Sequence, residues 1–386
     1  MQDVSKYIPE FVSVRRLMSY GIFLLCVVAA WLHGGVFAKL SWPLVLVAVL
    51  LSMPFLLFEP AKRDSLKDRL LKDPVFKLGA VFSVLVILQC LNANRWIAVE
   101  TTGEIMLGNK PPAWMPWSVH TSEASEMLVW FVPVWVVLLL VRNILKRRHV
   151  VLVLKMLAIH AGVVALLGIV QVLTGSITNM PENAFAVFDY RNHACVWFYM
   201  NACIAAGLAH EAFIQRQPHM QCAVWGCVFG LCVAATLLTL SRYGAVVSIV
   251  LVVTALAIFL KKALNRLRGF GAVNACIASG VLLLVCFSLF LGAGGGALSE
   301  EVFGKSFVGE RSISGDLSGR VGQMPPAIGM IRDYPLFGTG GYGYKWLAKG
   351  YLAEGEWEGW REAAKVNVHC DPLQFLAEFG LIGALC

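Results

Sequence analysis

In this chain of 386 residues, 58% are hydrophobic and only 15% charged. A soluble domain of this size carries roughly a quarter charged residues, so the composition excludes an ordinary water-soluble globular protein. The formal net charge of +8 does not indicate nucleic acid. The lysines and arginines gather in short loops between apolar blocks, and no aromatic-interleaved basic face accompanies them.

The apolar blocks are continuous runs of about twenty residues, enough to cross a ~30 Å hydrocarbon core as helices; a barrel would need alternating segments of about ten. In chain order they predict about ten transmembrane helices, near 17–37, 40–58, 78–94, 127–145, 150–173, 193–214, 222–240, 244–260, 270–292 and from 373 onward. The first block follows Lys6, Arg15 and Arg16 and has no small-residue cleavage site after it, so it reads as a retained helix. Lys62 to Lys77, Lys146 to Arg148 and Lys261 to Arg268 mark alternate loops as cytoplasmic, with the N-terminus inside. The remaining loops then face outward: 95–126, 174–192, the tight turn at Ser241-Arg242, and 293–372. The last apolar stretch stops at Cys386, and the sequence is expected to be a piece of a longer chain.

The loop 95–126 carries Trp96, Trp114 and Trp117 with Pro111, Pro112 and Pro116, a composition suited to the headgroup layer. Eleven cysteines are scattered, mostly within apolar blocks and without a C-x-x-C pair, so they read as small buried hydrophobes. The loop 293–372 is too long for a simple connector and is where chemistry is expected.

Three outward positions stand out. Arg242 is the single charge in "TLLTLSRYGAVVSIVL", where two apolar helices turn; an arginine there can snorkel to the interface or serve a site. In "SGRVGQMPPAIGMIRDYPLFGTGGYGY", Arg320 opens an amphipathic segment that Arg332 and Asp333 close. The glycine run that follows can present backbone N–H groups to phosphate, although no strand precedes it and no nucleotide fingerprint fits. In "NVHCDPLQFLAEFGLIGALC", His369 stands before the final span, beside Asp371 and near Glu378. Tyr190, Arg191, Asn192 and His193 form a polar knot entering the sixth span; capping and hydrogen bonding at a helix start account for Asn192, and Arg191 is a candidate third phosphate contact.

From about residue 185 onward these segments resemble the O-antigen ligase/polymerase family of membrane glycosyltransferases. The resemblance rests on "FDYRNHACVWF", "LTLSRYGA", "GRVGQMPPAIGMIRDYPLFGTGGYGY" and "HCDPLQFLAEFGLIG", in family-like order and spacing. It implies an all-α membrane fold of the glycosyltransferase-C type, with residues 1–192 as N-terminal transmembrane helices and 193–386 as the ligase-like region. It also implies transfer of a glycan from an undecaprenyl-diphosphate carrier to a lipid A core sugar, a growing polysaccharide or a protein hydroxyl, at the periplasmic face of a bacterial inner membrane. Matched by motif, Arg242 and Arg320 correspond to arginines that hold the carrier diphosphate, and His369 to the histidine that activates the acceptor hydroxyl. Arg191, Asn192, Arg332 and Asp371 complete the expected substrate-binding set. Where the family commonly has Asn and an aromatic residue after the histidine, this chain has Cys370, Asp371 and Pro372, which leaves Asp371 to orient the imidazole.

The chemistry agrees with these roles. Guanidinium forks match phosphate oxygens and stabilise a leaving diphosphate without a metal. An imidazole suits removal of a hydroxyl proton near neutrality, and attack opposite the leaving group inverts the anomeric centre. No cofactor is expected, and no metal, because the outward loops hold no D-x-D; Glu354, Glu356 and Glu358 read as a solvated loop. The competing readings are a transporter or flippase of lipid-linked sugars, which would place charges or broken helices near mid-bilayer, and a scaffold whose large loop binds partners.

Overall fold

The structure, a computed structural model, describes residues 14–32, 60–93, 97–99, 105–107, 111–175, 184–239, 241–265, 321–352, 368 and 370–386. The expected spans 40–58 and 270–292 lie outside the described residues, as do Arg320, His369 and the Glu354/Glu356/Glu358 group. Packing divides the chain into two compact units, Met1–Phe37 with Leu145–Glu310 and Ala38–Ile144 with Arg311–Cys386.

The first unit contains α1 (Val14–Trp31), α5 (Arg147–Leu173), α6 (Arg191–Ile214), α7 (His219–Leu238) and α8 (Arg242–Asn265). Between helices in lipid the hydrophobic effect offers little drive, so close backbone approach through small residues takes its place. The sequence supplies them. Ala158, Ala161 and Ala165 on α5, and Ala194, Ala202, Ala205, Ala209 and Ala212 on α6, are buried at helical spacing in one cluster. α7 fills the remaining volume with Trp225, Phe229 and Cys232. Gly162 of α5 lies in van der Waals reach of Val228, and a side chain at Gly168 would strike the Phe185 ring.

The second unit contains α2 (Pro60–Lys72), α3 (Pro74–Leu91), a hairpin of β1 (Ile97–Val99) and β2 (Ile105–Leu107), α4 (Thr121–Asn143), α9 (Met324–Asp333), α10 (Gly343–Leu347), a 3-10 turn (Ala348–Tyr351) and α11 (Asp371–Ala384). Helices α3 and α4 pack through aromatic contacts: Phe76 stacks on Trp135 at 5.8 Å and Phe82 meets Phe131 at 4.7 Å. The Trp135 indole lies over Gly79, where a Cβ would collide with it, and donates to the Val75 carbonyl at 2.9 Å. At the other end of this pair Asp73 caps α3 by accepting from the Val75 N–H, and also accepts from Arg142 and Asn143.

Four of the described helices, α3, α4, α5 and α7, are long and apolar enough to cross a membrane. The protein is therefore a predominantly helical membrane protein. Two features differ from the sequence expectation. The basic stretch after residue 60 is not merely a loop: it forms α2, because Ala, Leu, Lys and Arg favour helix and Pro60 opens it. A short hairpin, in which Ile97–Val99 pairs antiparallel with Ile105–Leu107, accompanies the helices and leaves the all-α class standing. Trp117 is not a headgroup-layer residue. It is fully buried against Tyr334 at 5.1 Å between centroids, whereas Trp114 is 70% exposed.

Candidate functional site

The motif-bearing residues fall in both units. In the first, Thr239, Ser241 and the start of α8 form the turn expected around Arg242. Ser241 Oγ accepts from the Gly244 N–H at 3.5 Å, and the Thr239 and Thr236 hydroxyls return to carbonyls one turn back. Gly244 packs so closely on Cys195 of α6 that a side chain there would meet the sulfur. This contact sets the N-terminal ends of α6 and α8 side by side, so that Arg191 and Arg242, the first residues of the two helices, occupy neighbouring helix starts. Helix N-termini carry partial positive charge and attract anions. Asn192 is hydrogen bonded at this helix start, as expected, but is not itself the cap. The N-cap position is Tyr190, without a side-chain cap bond, and Asn192 Nδ2 donates to the Tyr190 hydroxyl at 2.7 Å.

In the second unit α9 carries Pro325 and Pro326 in its first turn, where proline suits a helix start, and buries Pro326, Ala327 and Met330. Arg332 at its last turn is exposed, while Asp333 accepts from the Tyr351 hydroxyl at 3.0 Å. Asp371 opens α11 and is exposed.

The glycine run has a different use from the phosphate cradle the sequence suggests. Helix α11 is interrupted at Gly380 (φ 63°, ψ −168°), a conformation essentially restricted to glycine. The break frees main-chain groups, and residues 335–340 pair with them. Leu381 N–H donates to Pro335 O at 2.9 Å and Ile382 N–H to Leu336 O at 3.1 Å, while Thr339 N–H reaches Ala377 O and Gly340 N–H reaches Glu378 O at 2.8 Å. Gln89 of α3 adds its amide to the carbonyls of Phe337 and Glu378. Gly338 and Gly340 both have positive φ. A Cβ at Gly338 would overlap the Glu378 carbonyl, and one at Gly340 would strike Ser118.

The acidic group beside the run is the protein's own. Glu378 is 4% exposed, and its carboxylate accepts from the backbone N–H groups of Tyr342 and Tyr344 and from Gln374 Nε2 at 3.1 Å. Burying an unsatisfied carboxylate is costly; several donors offset that cost. Tyr342 adopts left-handed φ of 58°, uncommon for a residue with a Cβ, in the turn that presents these N–H groups. Burial, and then the carboxylates of Glu126, Glu378 and Glu123, raise the Tyr342 phenol above its ordinary value. Beyond it, Lys345 Nζ meets Glu123 at 2.7 Å and covers the Trp346 ring, and the Trp346 indole donates to the same carboxylate. These bonds tie α10 to the start of α4.

Sequence reasoning gave Glu378 no role and passed over Gln374. The available signal was their spacing: two polar residues four apart in an otherwise apolar helix share one face and require partners. Among the described residues no group of three or more His, Cys, Asp or Glu is placed to hold a metal.

The class is thus a multi-pass helical membrane protein with an outlying glycine-rich segment docked on a broken helix. A family model described as O-antigen ligase matches residues 227–386, in keeping with the resemblance of these segments to the O-antigen ligase/polymerase family. Comparison with curated proteins and with solved structures gave no match.

Proposed function

We propose that the protein transfers a glycan from a polyprenyl diphosphate, undecaprenyl diphosphate in a bacterial inner membrane, to an acceptor hydroxyl during cell-surface polysaccharide synthesis. The observation that carries this reading is that the matched segment 227–386 contains Arg242, Arg320 and His369 together. Arg242 and Arg320 hold the diphosphate as it becomes the leaving group; their fixed charge takes the place of a metal ion. Arg191 supports this role from the adjoining helix start, and Arg332 with Asp371 belongs to the substrate-binding face. His369 accepts the proton of the acceptor hydroxyl as that oxygen attacks the anomeric carbon from the side opposite the diphosphate, with inversion.

The alternating basic loops support about ten spans with 293–372 on the periplasmic side. The acceptor is a lipid A core sugar or a growing polysaccharide, with a protein hydroxyl as the third substrate class. The test is transfer by purified protein from a radiolabelled polyprenyl-diphosphate glycan to each acceptor in turn. A labelled glycoconjugate with release of polyprenyl diphosphate is expected. Donor that is moved across vesicle membranes without glycan transfer would replace the reading with a transporter.

A further inference from the structure

We infer that Gln374 and Glu378 are positioning residues for the segment that carries His369; the inference rests on the reading of His369 as the proton acceptor. Val368 and Cys370 flank that histidine and are tied to α11 on both sides. Val368 is fully buried, and its N–H donates to Gln374 Oε1 at 3.0 Å. The Cys370 carbonyl accepts from the N–H groups of Leu373 and Gln374, both at 3.0 Å. The Gln374 side chain is therefore the tether on the N-terminal side.

The orientation of that amide is dictated by its two partners. A backbone N–H can only donate, so the Gln374 oxygen must face Val368, and its NH2 then faces Glu378. Glu378 accepts at 3.1 Å and is itself locked by the N–H groups of Tyr342 and Tyr344. The chain of bonds runs from the glycine-rich turn through Glu378 and Gln374 to the residue before His369. It consists of buried or half-buried groups, where exchanging one acceptor for a donor disrupts its neighbours.

Glu378→Gln tests this at nearly constant shape. An amide at 378 cannot accept from Gln374 on one side and from the turn on the other, so one contact becomes donor against donor. Turnover is expected to fall roughly 10- to 100-fold, the scale of a displacement of about 1 Å, with affinity for a labelled polyprenyl-diphosphate glycan unchanged. Gln374→Met removes both the acceptor for Val368 and the donor to Glu378 and is expected to act in the same direction; it carries the test if Glu378→Gln does not fold. The exchange Gln374→Glu with Glu378→Gln restores every bond, with only the one between 374 and 378 reversed in direction, and is expected to recover most of the activity.

The same substitutions in a His369→Ala background separate the two readings. Glu378→Gln should then add nothing, because the group it positions is gone. An equal loss from Glu378→Gln with and without His369, or wild-type turnover in both Glu378→Gln and Gln374→Met, overturns the positioning role and leaves the histidine reading intact. Wild-type turnover in His369→Ala alone overturns that reading and this inference with it.

Discussion

Gly380 lies against the carbonyl of Leu336 with φ of 63°, at the point where α11 breaks and the chain 335–340 docks. Any other residue there meets two penalties, a left-handed backbone and an overlap with main chain that cannot move away. Gly380→Ala is expected to destabilise the second unit by at least about 2 kcal/mol, within the range for such backbone strain, read as a fall in the midpoint of thermal unfolding in detergent. Gly207→Ala serves as the control: Gly207 lies in α6 with open space around it, and alanine favours helix. An unchanged midpoint for Gly380→Ala would contradict the tight docking of the break.

Asp73 predicts an acid sensitivity. Hydrogen bonds from Asn143 and Arg142 hold its carboxyl below the usual carboxylate range, with the Val75 N–H adding to the effect. A carboxyl depressed in the folded state contributes stability that is complete above its unfolded pKa, about 3.9, and disappears as pH falls through the lower folded value. Asp73→Asn should therefore lower the unfolding midpoint at pH 6, and the gap to the wild type should narrow as pH falls below about 4. A gap that stays constant with pH would assign the loss to shape and not to charge.

Arg242→Lys and Arg320→Lys are expected to lower transfer severely, by about 100-fold or more, the scale seen when one donor to a developing anion is lost. A lysine point charge cannot reproduce the two parallel bonds of a guanidinium on phosphate. Initial rates with labelled donor decide this; near-normal rates in both would remove the diphosphate from these positions.

His369→Ala should reduce turnover by roughly 10²–10⁴-fold, the usual weight of general-base catalysis. Binding of the lipid-linked donor should hardly change, since it depends on the arginines and the lipid. Equilibrium binding beside single-turnover kinetics separates the two quantities. Loss of donor binding in His369→Ala would move the histidine into the phosphate site.

Transfer should survive EDTA, because the arginines supply the charge that a divalent ion supplies elsewhere. Activity that vanishes on chelation and returns with magnesium or manganese would direct attention to Glu354, Glu356 and Glu358.

Much of the helical framework is legible along the chain. Helices α5, α6 and α7 begin and end within a few residues of the apolar blocks at 150–173, 193–214 and 222–240. The reason is that membrane insertion depends on the hydropathy of about twenty consecutive residues, a local property. The tight turn before Arg242 was equally visible, since two apolar runs meet there at a single charged residue. The motifs of the matched segment are strings, so the resemblance to the O-antigen ligase family was legible in the sequence by itself.

What the sequence could not decide is where buried polar groups find their partners. Gln89 bonds to main-chain groups 248 and 289 residues away, and no periodicity encodes such a pairing. The glycine run illustrates the consequence. Its composition announces exposed N–H groups and is compatible with any anion; only the tertiary structure decided that the run docks on α11 beside Glu378. Trp117 likewise reads as an interfacial aromatic until Tyr334, more than two hundred residues later, covers it. Hydropathy is summed over neighbours in the chain, whereas satisfaction of a buried donor or acceptor is settled between groups that meet only when the chain has folded.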